Sequence, residues 1–190
     1  MKFTKTMLVA AILSSFSVSA FSAATEGTLN FNFSGIIPAK NVDPAGWSFV
    51  TADGTTPYVA PGSIPMTPVI QADETVVFTS NSEEFYIAPE TGSAFTVTPI
   101  TAQLVADPSV TGTSILPSEF HTVTSDVTIN GVSLDSTTAQ TLVTPVAGST
   151  VAERMVLGAK IDIPGSARTV DGGNITLQTT IRFSADVAAL

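Results

Sequence analysis

The 190-residue chain contains no cysteine. That removes disulfides, thiolate metal ligands and thiol nucleophiles together, so stability must come from sheet pairing and packing. Histidine is almost as scarce, with His121 the single copy. One histidine without cysteine leaves no ligand set for zinc. Ser118, Glu119 and Asp126 lie near it in sequence, but no nucleophile-elbow motif accompanies them. His121 is expected on a surface or an edge, and no catalytic residue, cofactor or metal is assigned. Charge is sparse as well: charged residues are 12% of the chain, against about 25% in ordinary soluble domains. With 44% hydrophobic residues, so little charge implies an exterior largely covered by neighbours. Beyond the first residues there is no run of 18 apolar residues, hence no candidate membrane-spanning helix. The twelve prolines are spread over the whole length, which argues against any long helix.

The start of the chain has the layout of a secretory signal. Lys2 and Lys5 make a basic opening, Met7 to Leu13 a short apolar run, and residues 14–24 are small and weakly polar. Small residues at Ser22 and Ala24 place the cut after residue 24; Val18 and Ala20 would allow one after residue 20. Residues 1–24 are therefore expected to be removed on export. Their loss moves the net charge from −9 to −11. Lys40, Arg154, Lys160, Arg168 and Arg182 then remain, and they are scattered. Phosphate binding needs clustered cations, so nucleic acid is not an expected partner.

What the chain has in abundance is alternation. Apolar residues recur with period two, the signature of half-buried strands. Strands are predicted at Leu29–Ile37, Trp47–Thr51, Met66–Gln71, Thr75–Thr79, Glu84–Ala88 and Ala94–Ala106. Further strands are predicted at Thr122–Asn130, Val132–Asp135, Ala139–Thr144, Val151–Ile163 and Asn174–Val187. Turn signals such as Asp53-Gly54, Thr91-Gly92 and Asp171-Gly172 separate them. Asn130-Gly131, between alternating segments, predicts a tight type I′ hairpin. Many short strands with regular turns read as an all-β sandwich. Residues 46–68, with Pro57, Pro61, Pro65 and Pro68, are expected to wander along an edge.

The two ends carry the functional reading. At the expected mature start, Gly27, Leu29, Phe31, Phe33 and Gly35 fall on one face of a strand, and Thr28, Asn30, Asn32 and Ser34 on the other. Burying the three large side chains would contribute roughly 5–9 kcal/mol at most, so the ridge needs a partner surface. At the other end, Ile175, Leu177, Thr179, Ile181, Phe183, Ala185 and Val187 share a face. Both segments fit the first and last strands of a self-sufficient sandwich. They also fit strand donation, in which the N-terminal ridge of one molecule fills a groove beside residues 174–187 of the next. Gly27 and Gly35 suit the close approach that such pairing needs.

At these residues the chain resembles subunits of chaperone–usher fimbriae. Gly27-Thr28-Leu29-Asn30-Phe31 is similar to the donor strand of such pilins, and Asn174–Val187 to their C-terminal strand. Asp126–Thr138 resembles a mid-chain hairpin of cysteine-free colonisation-factor pilins. The chain departs from many members in lacking a cysteine after the donor strand, where Pro38-Ala39-Lys40-Asn41 stands. It also lacks a penultimate tyrosine, ending Ala188-Ala189-Leu190. The resemblance implies an immunoglobulin-like sandwich that is incomplete (residues 36–190) and completed by a donor strand (residues 25–35). It implies a structural, non-enzymatic subunit supporting adhesion, exported through the periplasm to the cell surface. The implied partners are identical or related subunits, a periplasmic chaperone, an outer-membrane usher and a host receptor.

Other constellations lead elsewhere. Asp73-Glu74 and Glu83-Glu84 are acidic pairs of the kind that serve glycosidases or calcium, but adjacent strand residues point to opposite faces. Trp47, Phe49 and Tyr58 fit either a sugar-stacking patch or core, and the period-two spacing of Trp47 and Phe49 favours core. The alternative reading is a monomeric secreted β-sandwich that binds carbohydrate or a receptor.

Overall fold

The computed structural model describes residues 46–113 and 115–190. In chain order the first strands are β1 (Trp47–Val50), β2 (Met66–Ile70), β3 (Val76–Ser80), β4 (Glu83–Pro89) and β5 (Ser93–Phe95). There follow β6 (Ile100–Leu104), β7 (Ser109–Gly112), β8 (Thr124–Ile129), β9 (Val132–Ser133) and β10 (Gln140–Val143). The last are β11 (Glu153–Ile163), β12 (Ile175–Gln178), β13 (Ile181–Ser184) and β14 (Val187–Ala189). The described residues are all-β, and every strand pair among them is antiparallel. The arrangement is consistent with a β-sandwich.

The first sheet is organised by β11. β3 and β4 lie on one side of it as a single interrupted row, and β8 lies on the other. Thr79 opposes Lys160 and Glu83 opposes Leu157, so four steps on one strand meet three on the other. The extra residue is a bulge at Asn81-Ser82, and it switches the inward parity from Val76 and Phe78 to Phe85 and Ile87. Ser80 Oγ accepts the Ala159 N–H there at 2.8 Å. β1 flanks β4 and β2 flanks β3. The β8–β9 hairpin turns at Asn130 and Gly131, both with positive φ (52° and 77°), the conformation a type I′ turn demands. Asn130 also ties the hairpin to β11: its Oδ1 accepts the Val156 N–H at 2.8 Å.

The second layer consists of three short ladders laid end to end. β12, β13 and β14 run antiparallel to β7, β6 and β5 in turn, and β10 covers the far side of β6. The main core lies between the layers, with Phe85, Ile87 and Met155 from the first sheet against Phe95, Ile100 and Leu104 from the second. A smaller core of Ile115, Ile161, Ile163 and Ala167 fills one end.

Several sequence expectations are revised. The segment Ala94–Ala106 is not one strand. It breaks at residues 96–99, where the Thr96 and Thr98 hydroxyls donate to the Asp186 carboxylate at 2.9 and 3.0 Å and Pro99 has no N–H to give. Asn174–Val187 breaks twice for the matching reason, because the opposing row bulges at 105–108 and at 96–99. β7 was not foreseen, nor was the 3-10 turn Pro117–Thr122, so β8 begins two residues later than expected. The predicted strand Leu29–Ile37 lies outside the described residues.

Candidate functional site

Among the described residues, the last row of strands has one paired edge and one edge without a described partner. The backbone of β12–β14 bonds inward through its even-numbered residues. Asn174, Thr180 and Asp186 carbonyls accept from Thr113, Val105 and Thr96 at 3.2, 2.9 and 3.1 Å, and Leu190 donates to Gly92 at 2.9 Å. Alternate residues of an antiparallel strand turn their N–H and C=O groups to opposite sides. Ile175, Leu177, Ile181, Phe183, Ala185 and Val187 therefore present theirs to the outer edge. No strand among the described residues pairs that edge, and no proline interrupts residues 174–190.

The same residues turn their side chains toward the core, and none is fully buried. The exposure along 175–187 alternates without a break between partly buried and exposed. The partly buried set is the sequence-predicted accepting row: Ile175, Leu177, Ile181, Phe183 and Val187. All five are brought into one line. Their floor is the first sheet. Phe183 meets Phe49 and Phe85 edge-on at 5.4 and 5.5 Å, and Ile175 and Leu177 pack, as Met66 does, against the small core of Ile115, Ile161, Ile163 and Ala167. At one end Gly46 approaches Val187 so closely that a Cβ there would lie 2.7 Å from Val187 Cγ2; only glycine fits. At the other end a cleft of about 250 Å³ opens between β2 and the loop before β12, lined by Ile70, Phe78, Ile163, Arg168 and Gly172 among others.

Thr179 lies on this face, as the alternation predicts, but was not among the predicted accepting residues. Its Oγ1 is buried without a hydrogen-bond partner among the described residues. An isolated hydroxyl in an otherwise apolar alternation is the signal that could have marked it. The predicted donor residues Gly27, Leu29, Phe31, Phe33 and Gly35 lie outside the described residues, as does the segment 1–24.

The remaining candidates resolve individually. Trp47 is buried and Phe49 partly so; with Tyr58 they pack around Phe85 rather than forming an outward sugar platform. Tyr58 Oη donates to Glu83 Oε1 at 2.9 Å, and burial together with that carboxylate raises the phenol well above its usual range. Glu84 points the other way and pairs with Arg154, so the acidic pair diverges. His121 is exposed on the 3-10 turn, with Nδ1 3.0 Å from the Ser118 carbonyl oxygen. A polar depression of about 430 Å³ on the outer face of β1 and β4 contains no aromatic lining. No protein-family model matches the chain, and no curated protein matches it.

Proposed function

We propose that this protein is a structural subunit of a bacterial surface fibre of the chaperone–usher type. Residues 25–35 of one copy complete the sheet beside residues 175–189 of the next. One observation carries the reading. Three short proline-free strands in succession present an outer edge with no described partner, while their inward side chains are only partly covered. A strand laid on that edge would take up the backbone groups and shield Leu177, Ile181 and Phe183 with its own alternate side chains.

The strand order supports the immunoglobulin-like form of the sandwich. Label the rows A to F in chain order: β1/β2, β3/β4, β5–β7, β8/β9, β11 and β12–β14. The first sheet then runs A-B-E-D; in the second, C pairs with F on one edge and, on the other, with β10, which has no letter in this scheme. A constant-type immunoglobulin sandwich has this order with a seventh strand, G, beside F. In this reading the vacant place of G is the accepting edge, and the Leu29-Phe31-Phe33 ridge fills it. Export through the periplasm, escort by a chaperone that covers the same edge, assembly at an outer-membrane usher and adhesion to a host receptor follow from the proposal.

The test is Phe31→Arg. A charged side chain on the donated ridge leaves the accepting edge untouched, so chaperone binding persists while fibre growth stops. Normal fibres from this variant in electron micrographs overturn the proposal. A chain that stays monomeric in size-exclusion and keeps its melting point after deletion of residues 25–34 would instead be the self-sufficient binding module.

A further inference from the structure

The molecule has a second outer edge next to the first, and its chemistry is the opposite. On the first sheet, residues 56–58 form an arm beside β1: Thr51 donates to the Thr56 carbonyl at 2.8 Å and Tyr58 to the Phe49 carbonyl at 2.9 Å. Thr56 and Tyr58 thus face β1. Pro57, which opposes Val50, faces away. On β2, Gln71 donates to Thr75 at 2.8 Å and the Pro65 carbonyl accepts from Asn81 at 3.1 Å, so the odd residues face β3. Met66, Pro68 and Ile70 turn outward. Both of these outward stretches therefore have proline at their centre, where an incoming strand would need an N–H. Pro61 and Pro65 occupy the irregular connection between them.

We infer that strand addition to this protein is one-sided, resting on the reading that a donated strand occupies the place beside β12–β14. The added strand forms its ladder with 175–189 alone and lies against the 57–70 margin by side-chain contact only. Proline on an edge strand with its nitrogen toward solvent is a recognised way to stop edge-to-edge pairing. The partner is therefore an extended segment with apolar residues at alternate positions, hydrogen-bonded along one side. The consequence is that the 57–70 margin adds no backbone ladder to the incoming strand.

Hydrogen exchange of the full mature chain, as monomer and as fibre, tests this. Slowed exchange on assembly is expected at Ile175, Leu177, Ile181, Phe183, Ala185 and Val187, with the Met66 and Ile70 amides unchanged. Slowing at Met66 and Ile70 equal to that along 175–187 overturns one-sidedness and leaves strand addition standing. No slowing at either edge overturns strand addition itself. Ala185→Pro supplies a second readout. Its N–H points outward and sits between β13 and β14, so removing it spares the inner ladder and weakens assembly about tenfold, the scale of one lost hydrogen bond. Assembly undiminished in Ala185→Pro counts against the outer edge of 175–187 as the pairing surface.

Discussion

Strand β11 and the C-terminal stretch 175–189 carry nearly the same pattern of alternating apolar and polar residues, and they differ in what lies beside them. β11 has β3 and β4 along one edge and β8 along the other. Its Met155 and Ile161 are 0% exposed. The last strand is flanked by β5–β7 on one edge and by no described strand on the other, and its inward residues are all left partly exposed. A side chain on a sheet is shielded from above by the opposite layer and from the side by the neighbouring strand. Alternation in a sequence reports the first kind of cover and says nothing of the second. The difference in burial between the two strands therefore goes with the absence of a described neighbour beside the last one.

That argument gives quantities to test. Ile161→Ala removes a fully buried side chain from a site closed on both edges and should cost about 2–5 kcal/mol, read as a lower urea midpoint. Phe183 is a larger residue, yet in the unassembled chain Phe183→Ala should cost only about 1–2 kcal/mol, because part of its surface already meets water. In the fibre the order should invert, with Phe183→Ala costing about 3–5 kcal/mol, as a buried aromatic does. If Phe183→Ala destabilises the unassembled chain as much as Ile161→Ala does, the last strand is already covered and the comparison fails.

Most of the fold was legible because period-two alternation is a local property. The strands around Trp47, Phe78, Phe85, Val127 and Met155 appear where the alternation places them, and Asn130-Gly131 makes the turn its backbone preference dictates. The interruptions were not legible. Nothing in Thr96-Val97-Thr98 announces that both hydroxyls will turn to Asp186, about ninety positions away in sequence. The bulge at Asn81-Ser82 shows only once β3 and β4 are seen to share one edge of β11. The row 175–187 could be named from its alternation, whereas the edge it belongs to is a property of topology. The prolines at 57 and 68 could be counted in the sequence, but the side their nitrogens face required the hydrogen-bond parity of β1 and β2.

A smaller effect sharpens the same contrast within one strand. Thr179 holds a buried hydroxyl without a described partner, a defect absent from the inward row of β11. Leaving such a group dry costs about 1–3 kcal/mol, and an apolar group of the same shape avoids that cost. Thr179→Val should therefore raise the urea midpoint of the unassembled chain by the equivalent of about 1 kcal/mol. In the fibre the gain should shrink if the donated strand brings a polar group to that hydroxyl. A loss of stability in the unassembled chain would show that Thr179 is already satisfied.

The margin opposite the last strand is closed, and acid should loosen it locally. There the β9–β10 turn joins the layers: the Asp135 carbonyl accepts the Leu104 N–H at 2.9 Å, and Gln103 Nε2 donates to the Ser136 carbonyl at 2.9 Å. The Asp135 carboxylate organises the turn, accepting from the Thr137 hydroxyl and N–H, both at 2.7 Å, and from the Thr138 N–H at 2.6 Å. The Thr137 hydroxyl above all, with these backbone donors, holds the carboxyl at about 2, below its ordinary value of 3.8. A depressed folded-state value stabilises the fold at pH above the ordinary one, and the contribution disappears as pH falls through the folded one. The Thr137 and Thr138 amide resonances should therefore titrate with a midpoint near 2, while those of β11 stay put and Asp135→Asn abolishes the titration. A midpoint at the ordinary carboxylate value would mean that the turn does not hold its anion. The closed margin would then depend on the Leu104 and Gln103 bonds alone, and the contrast between a clasped edge and an open one would narrow accordingly.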